Sequence, residues 1–313
     1  MKKGIFIFFI FWTLNLFAYK IEIVKNPTNG WQILNEDGEP FLIKGVCYSP
    51  IPPSSIVWSY SFSEESSPWL EDGELMEEMG VNTIRIYYTG KKPEDCKKFI
   101  RQMYRLFSIF TVFSLLEVNI TSIDFTSEEL INELEDKITK KVEEYKDTNG
   151  ILLYLLGNEI DYYFTDDKAY WATREMEELT PFARAKERAR LVFKVLDKIS
   201  GKIKEIDPYH PVGISLGTLN YIILADKICT NIDFIGLNQY VGKRFYTLWY
   251  YTRKLKKPVL ITEFGYDAYD SKKEREDEDT QAEFLTSMWK DIIKHSYKNK
   301  RGVCLGGIIF EWN

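Results

Sequence analysis

The chain has 313 residues, a length that fits one or two average domains and also a single α/β barrel. Hydrophobic residues make up 45% and charged residues 28%, ordinary values for a globular protein with a full core. With 41 basic against 47 acidic side chains the net charge is −6, and no Lys/Arg stripe alternates with aromatics, so no nucleic acid or other polyanionic partner is expected.

Residues 1–18 have the form of a secretory signal: Lys2 and Lys3, an apolar run from Ile5 to Phe17, then Ala18 before a polar stretch. The run is shorter than the roughly 18 to 20 apolar residues that span a bilayer. The expectation is a secreted or extracytoplasmic chain, with residues 19–313 forming one barrel domain and no membrane span once the signal is removed. Four cysteines (Cys47, Cys96, Cys229, Cys304) lie far apart without paired spacing, so they are expected to be free or buried rather than zinc ligands.

Ile21 to Phe41 reads as a short hairpin with its turn at Asn35–Gly38, suited to closing the bottom of a barrel. Eight apolar, β-branched runs follow: 41–48, 82–88, 111–117, 151–159, 211–216, 233–240, 258–265 and 306–312. Their near-continuous hydrophobicity suits parallel strands buried on both faces. Helical periodicity fills the intervals: Leu70 to Met79, ended by Gly80; Pro93 to Phe107; Ser127 to Tyr145, with capping-box spacing at Thr126 and Glu129; Asp166 to Glu205; and Thr280 to Tyr297. Thr218 to Cys229 and Phe245 to Lys254 carry weaker signals, and the acidic run Glu274 to Asp279 reads as a solvated loop or helix start. The alternation predicts an α/β (β/α)8 TIM barrel. The chain stops at Asn313 with no eighth helix, so either the hairpin replaces that helix or the sequence is truncated.

Barrel enzymes place reactive groups at the C-terminal ends of strands. Polar residues at those ends are Tyr48, Arg85, Glu117, Asn158, Glu159, Asn238, Tyr240, Glu263, Glu311 and Trp312. Cleaving an acetal with retention needs an acid to protonate the departing oxygen and a carboxylate to trap the sugar from the other face, about 5 to 5.5 Å away. Glu159 ends the fourth strand and Glu263 the seventh, on opposite sides of the mouth. Arg85 and Tyr240 would keep Glu263 charged, Asn158 would reach a sugar 2-hydroxyl, and Trp312 would floor the ring. Two carboxylates suffice for this chemistry, so no cofactor or metal is expected.

The segments GNEI (157–160) and ITEFG (261–265), with TIRIYY (83–88), GLNQY (236–240) and FEW (310–312), resemble the clan of retaining (β/α)8 glycosidases. Together with IKGVCYSP (43–50) they look most like the family 2 glycosidase barrel and the β-1,3-glucanosyltransferases. The resemblance implies a glycoside hydrolase acting on β-linked oligo- or polysaccharides through a covalent glycosyl-enzyme. Glu159 would be the acid/base, Glu263 the nucleophile, and Asn158, Arg85, Tyr240, Trp312 and Tyr48 substrate contacts. Asn238 stands where the cellulase-like members carry a histidine. A monomer is expected.

Each motif alone is common, and the joint position at strand ends carries the reading. Glu117 and Glu311 would be secondary hydrogen-bonding groups, and His210 and His295 structural. Aromatics after the first strand (Trp58, Tyr60, Phe62, Trp69) and the fourth (Tyr162, Tyr163, Phe164, Tyr170, Trp171) either stack on outer sugars or pack loops on the barrel. Two alternative functions stand beside hydrolysis: transglycosylation by the same carboxylates, and an inactive carbohydrate-binding barrel.

Overall fold

A computed structural model describes residues 20–50, 62, 68–116 and 123–312. The signal-like run 1–18, Trp58, Tyr60 and Glu117 lie outside the described residues. The elements in chain order are β1 (Glu22–Asn26), β2 (Gly30–Leu34), β3 (Pro40–Phe41), β4 (Ile43–Tyr48), α1 (Trp69–Met79), β5 (Thr83–Ile86), α2 (Pro93–Phe107), β6 (Phe110–Ser114), α3 (Glu128–Tyr145), β7 (Ile151–Leu156), α4 (Arg174–Glu177), α5 (Pro181–Ile206), β8 (Val212–Leu216), α6 (Ile222–Ile228), β9 (Phe234–Asn238), α7 (Tyr246–Thr252), β10 (Val259–Phe264), β11 (Tyr269–Asp270), β12 (Arg275–Glu276), α8 (Glu278–Lys294) and β13 (Cys304–Trp312). Strands β4 to β10 and β13 close a parallel barrel in chain order, with β13 between β10 and β4. All eight predicted strands are present, and helices fill the intervals between them. Among the described residues no helix is long and apolar enough to cross a membrane.

The predicted hairpin is a three-stranded antiparallel sheet. The turn at Asn35–Gly38 exists, but it joins β2 to β3, because Asn26–Gly30 already turns the chain between β1 and β2. Asn35 Oδ1 accepts from the backbone of Asp37 and Glu39, so this Asn builds its own turn. The sheet caps the N-terminal end of the barrel: Ile21 N donates to Tyr209 O ahead of β8, and Trp31 N to Gly302 O ahead of β13.

The long stretch predicted as Asp166 to Glu205 is two helices. Thr180 is extended (ψ 153°) before Pro181, which a continuous helix does not allow, and it caps α5 by accepting from Ala183 N. The cap of α3 is Ser127, accepting from Leu130 N, one residue beyond the expected Thr126. The acidic run holds β12 and the start of α8, capped by Asp277.

Two apolar layers form. One fills the barrel interior, where Ile43, Val112, Leu153, Leu155, Phe234 and Leu260 meet Ile21 and Ile33 of the capping sheet. The other lies between strands and helices, with Phe99, Met103, Ile138, Val142, Phe193 and Ile199 as members. Burying each such side chain stabilises the fold by about 1.5–3 kcal/mol. The four cysteines are buried, and none of them is in a disulfide among the described residues.

Candidate active site

Toward the C-terminal end the barrel interior turns polar. Strands alternate sides with period two, so Cys47, Arg85, Ser215, Asn238 and Thr262 form an inward layer above the apolar plug. Arg85 is its hub and is fully buried. Its Nη1 donates to Glu263 Oε1 at 2.9 Å and to Thr262 O at 3.0 Å, and its Nη2 to Asn158 Oδ1 at 2.8 Å. Asn238 donates to the same Asn158 oxygen at 3.0 Å, while its own Oδ1 accepts from Thr262 Oγ1 at 2.8 Å.

Glu263 is buried and addressed from three sides. Arg85 and the Tyr87 hydroxyl, 2.5 Å away, donate to Oε1, and Tyr240 donates to Oε2 at 2.9 Å. A cation and two phenols around one carboxylate stabilise its negative charge. Burial, then the Glu263 charge, raises the Tyr240 phenol above its ordinary value. Burial also raises Tyr87 and pushes the Cys47 thiol up to about 12, so these groups stay protonated as donors. Cys47 Sγ sits 3.2 Å from the Tyr87 hydroxyl.

Glu159 lies where β7 ends. Gly157 has φ 74°, and a Cβ there would meet Ile160 Cγ2 at 2.4 Å, so the turn out of the strand requires glycine. Glu159 itself is left-handed (φ 49°, ψ 39°), a conformation that costs a residue of this kind roughly 1–3 kcal/mol. The surroundings hold it: Asp161, buried in the following 3-10 turn (Ile160–Phe164), accepts from Gly217 N at 2.6 Å, Thr218 N at 2.9 Å and Thr218 Oγ1 at 2.5 Å. The end of β7 is thereby clamped to the end of β8. Burial first, and the Glu263 charge second, raise Glu159 above the ordinary carboxylate value. The two carboxylates thus sit in unlike surroundings, one half-buried and favouring its proton, one ion-paired.

The other predicted residues are placed as follows. Asn158 is exposed, and its amide oxygen accepts from both Arg85 and Asn238. Trp312 is half-buried and donates Nε1 to Asp72 Oδ1 at 3.1 Å; Tyr48 is buried and donates its hydroxyl to Asp72 Oδ2 at 2.5 Å. Tyr48 therefore faces α1 rather than the mouth. Glu311 is exposed on the final strand. His210 is bonded to Asp207 and His295 is stacked on Trp249, both away from the mouth. Of the loop aromatics, Phe62 and Trp69 pack on Phe99, and Phe164 and Trp171 are buried, whereas Tyr162 and Tyr170 are exposed.

Sequence reasoning missed Tyr87, Asp161 and Asp72 as parts of this arrangement. Tyr87 was legible, since it lies two residues beyond Arg85 and shares its face of the strand. Asp161 and Asp72 act across elements distant in sequence and left no local signal.

No family model matches the chain. Its sequence is similar to the 1,3-beta-glucanosyltransferase gel2 of Aspergillus fumigatus, 26% identical over 268 residues, covering 78% of this chain and 51% of that protein. It is also similar to the 1,3-beta-glucanosyltransferase GAS4 of Saccharomyces cerevisiae, 27% identical over 249 residues, covering 73% and 49%. The chain spans about half the length of these relatives. In fold it matches a GH2 beta-galacturonidase from Eisenbergiella tayi (TM-score 0.59, 17% identity, 94% of this chain and 47% of that one). It likewise matches a beta-mannanase from Mytilus edulis (TM-score 0.60, 11% identity, 94% and 92%). The chain is a closed (β/α)8 barrel, similar in sequence to β-1,3-glucanosyltransferases and in fold to glycosidase barrels.

Proposed function

We propose that this protein cleaves β-linked glycans with retention of configuration, Glu263 acting as nucleophile and Glu159 as acid/base. The observation that carries the reading is the unlike setting of the two carboxylates: Glu263 held by Arg85, Tyr87 and Tyr240, and Glu159 half-buried with its proton favoured.

In the first step a Glu263 oxygen bonds to the anomeric carbon, the glycosidic C–O bond breaks, and the Glu159 proton goes to the departing oxygen. Esterified Glu263 carries no charge, so one cause of the raised Glu159 value disappears and Glu159 becomes a better base. It then takes a proton from the incoming hydroxyl, whose oxygen bonds to the anomeric carbon and releases Glu263. The Asn158 NH2 supplies a donor for the sugar 2-hydroxyl, and Trp312, held by Asp72, supplies an apolar face. Tyr48 acts through Asp72 as a positioning residue.

Water as the incoming group makes the enzyme a hydrolase. A sugar hydroxyl makes it a glucanosyltransferase, a second reading favoured by the similarity to the two fungal transferases. The signal-like run 1–18 would take the enzyme across a membrane to glycan outside. Incubation with laminari-oligosaccharides separates the two fates: products longer than the starting chain require transfer, and only shorter products mean hydrolysis. No turnover of any β-glycan, with binding retained, would leave the inactive barrel.

A further inference from the structure

On the face opposite Glu263 lies a cavity of about 760 Å³, bounded by the capping sheet, the ends of α7 and α8, and the turn that enters β13. Its walls carry Lys25, Arg253, Lys294, Lys300 and Arg301 beside Trp31, and no Asp or Glu among the described residues lines it. None of the five cations forms an ion pair among the described residues, although the chain as a whole carries a net charge of −6. Arg253 and Lys294 follow or end helices, where positive charge complements the helix dipole. Lys25 on β1 lies over the Trp31 ring, 5.4 Å from its centre, and neither that contact nor the dipole reaches Lys300 and Arg301 in the turn ahead of β13. The five cations are solvent-exposed and share one concave space, so a bound polyvalent anion would meet positive charge from several sides at once. The volume falls within the range of about 300–1,000 Å³ common for small-ligand sites.

We propose that this cavity binds a polyvalent oxyanion, either free or as the charged groups of an acidic glycan segment. The site does not depend on the catalytic reading. It was invisible in the sequence because its cations are spread from residue 25 to residue 301 and converge only through the capping sheet.

Calorimetric titration of the full chain at low salt, with tripolyphosphate, hexagalacturonate and neutral laminarihexaose, tests it. Tripolyphosphate, hexagalacturonate or both bind, and the affinity falls as salt is raised. The relative affinities of the two probes identify the source of the anion. The Lys300→Gln/Arg301→Asn pair weakens anion binding by about tenfold or more, since charge-assisted hydrogen bonds are lost. Asparagine suits position 301, where φ is 61°. Lys272→Gln, on the opposite face, leaves anion binding unchanged. Lys25→Gln serves as an independent variant should the pair not fold. Absence of binding by both anions at low salt, or equal binding by the folded variants, overturns the proposal.

Discussion

Asp161→Asn tests whether the left-handed backbone at Glu159 is held in place from two residues away. Asparagine keeps the shape and one acceptor oxygen. The amide that replaces the other faces the N–H of Thr218, which the native carboxylate accepts at 2.9 Å. Asp161 is 3% exposed, so water does not repair the loss. One stranded donor plus the lost charge costs about 1.5–3 kcal/mol. At about 2–4 °C per kcal/mol for a large domain, the thermal midpoint falls by about 3–12 °C. The effect on catalysis is larger: freed from its clamp to β8, the turn relaxes toward common backbone angles and Glu159 shifts. A displacement near 1 Å costs about 100-fold in kcat. Circular-dichroism melts and steady-state kinetics on a β-glycan across pH measure both. A variant that melts earlier but keeps the native kcat and pH profile would refute the argument and leave Asp161 a purely structural residue.

Glu159→Gln removes the proposed proton donor. The basic limb of kcat/KM against pH, set by loss of the Glu159 proton and lying above the ordinary carboxylate value, disappears, and aryl glycosides with good leaving groups lose far less rate than glycans. Retention of that limb in the variant would assign it to another group. Asp72→Ala removes the acceptor of both the Trp312 indole and the Tyr48 hydroxyl, so kcat/KM falls by up to about 30-fold, chiefly through KM, as two hydrogen bonds of about 1 kcal/mol each are lost. Unchanged kinetics would show that Trp312 needs no such support.

The eight strands were legible because each reads as a near-continuous apolar run between turn residues, and six of them, β5 to β10, are buried along their whole length. Arg85, Tyr240 and Glu263 were legible from their strand ends, and the structure brings them into contact. Other features depend on contacts that no local pattern records. Asp161 reads as an ordinary acidic loop residue until β8 delivers two backbone N–H groups to it. Tyr48, at a strand end, seemed to face the mouth, but Asp72 on α1 draws its hydroxyl outward. The break before α5 was present in the sequence as Thr180-Pro181 and was overridden by the helical period on either side.

In the proposed mechanism Glu263 forms a covalent bond to sugar. Intact-mass measurement after incubation with activated 2-deoxy-2-fluoro β-glycosides, followed by peptide mapping, tests it directly. One fluoroglycosyl adduct is expected on Glu263, with both adduct and turnover absent from the Glu263→Ala protein. An adduct on another residue, or native turnover by Glu263→Ala, would contradict it.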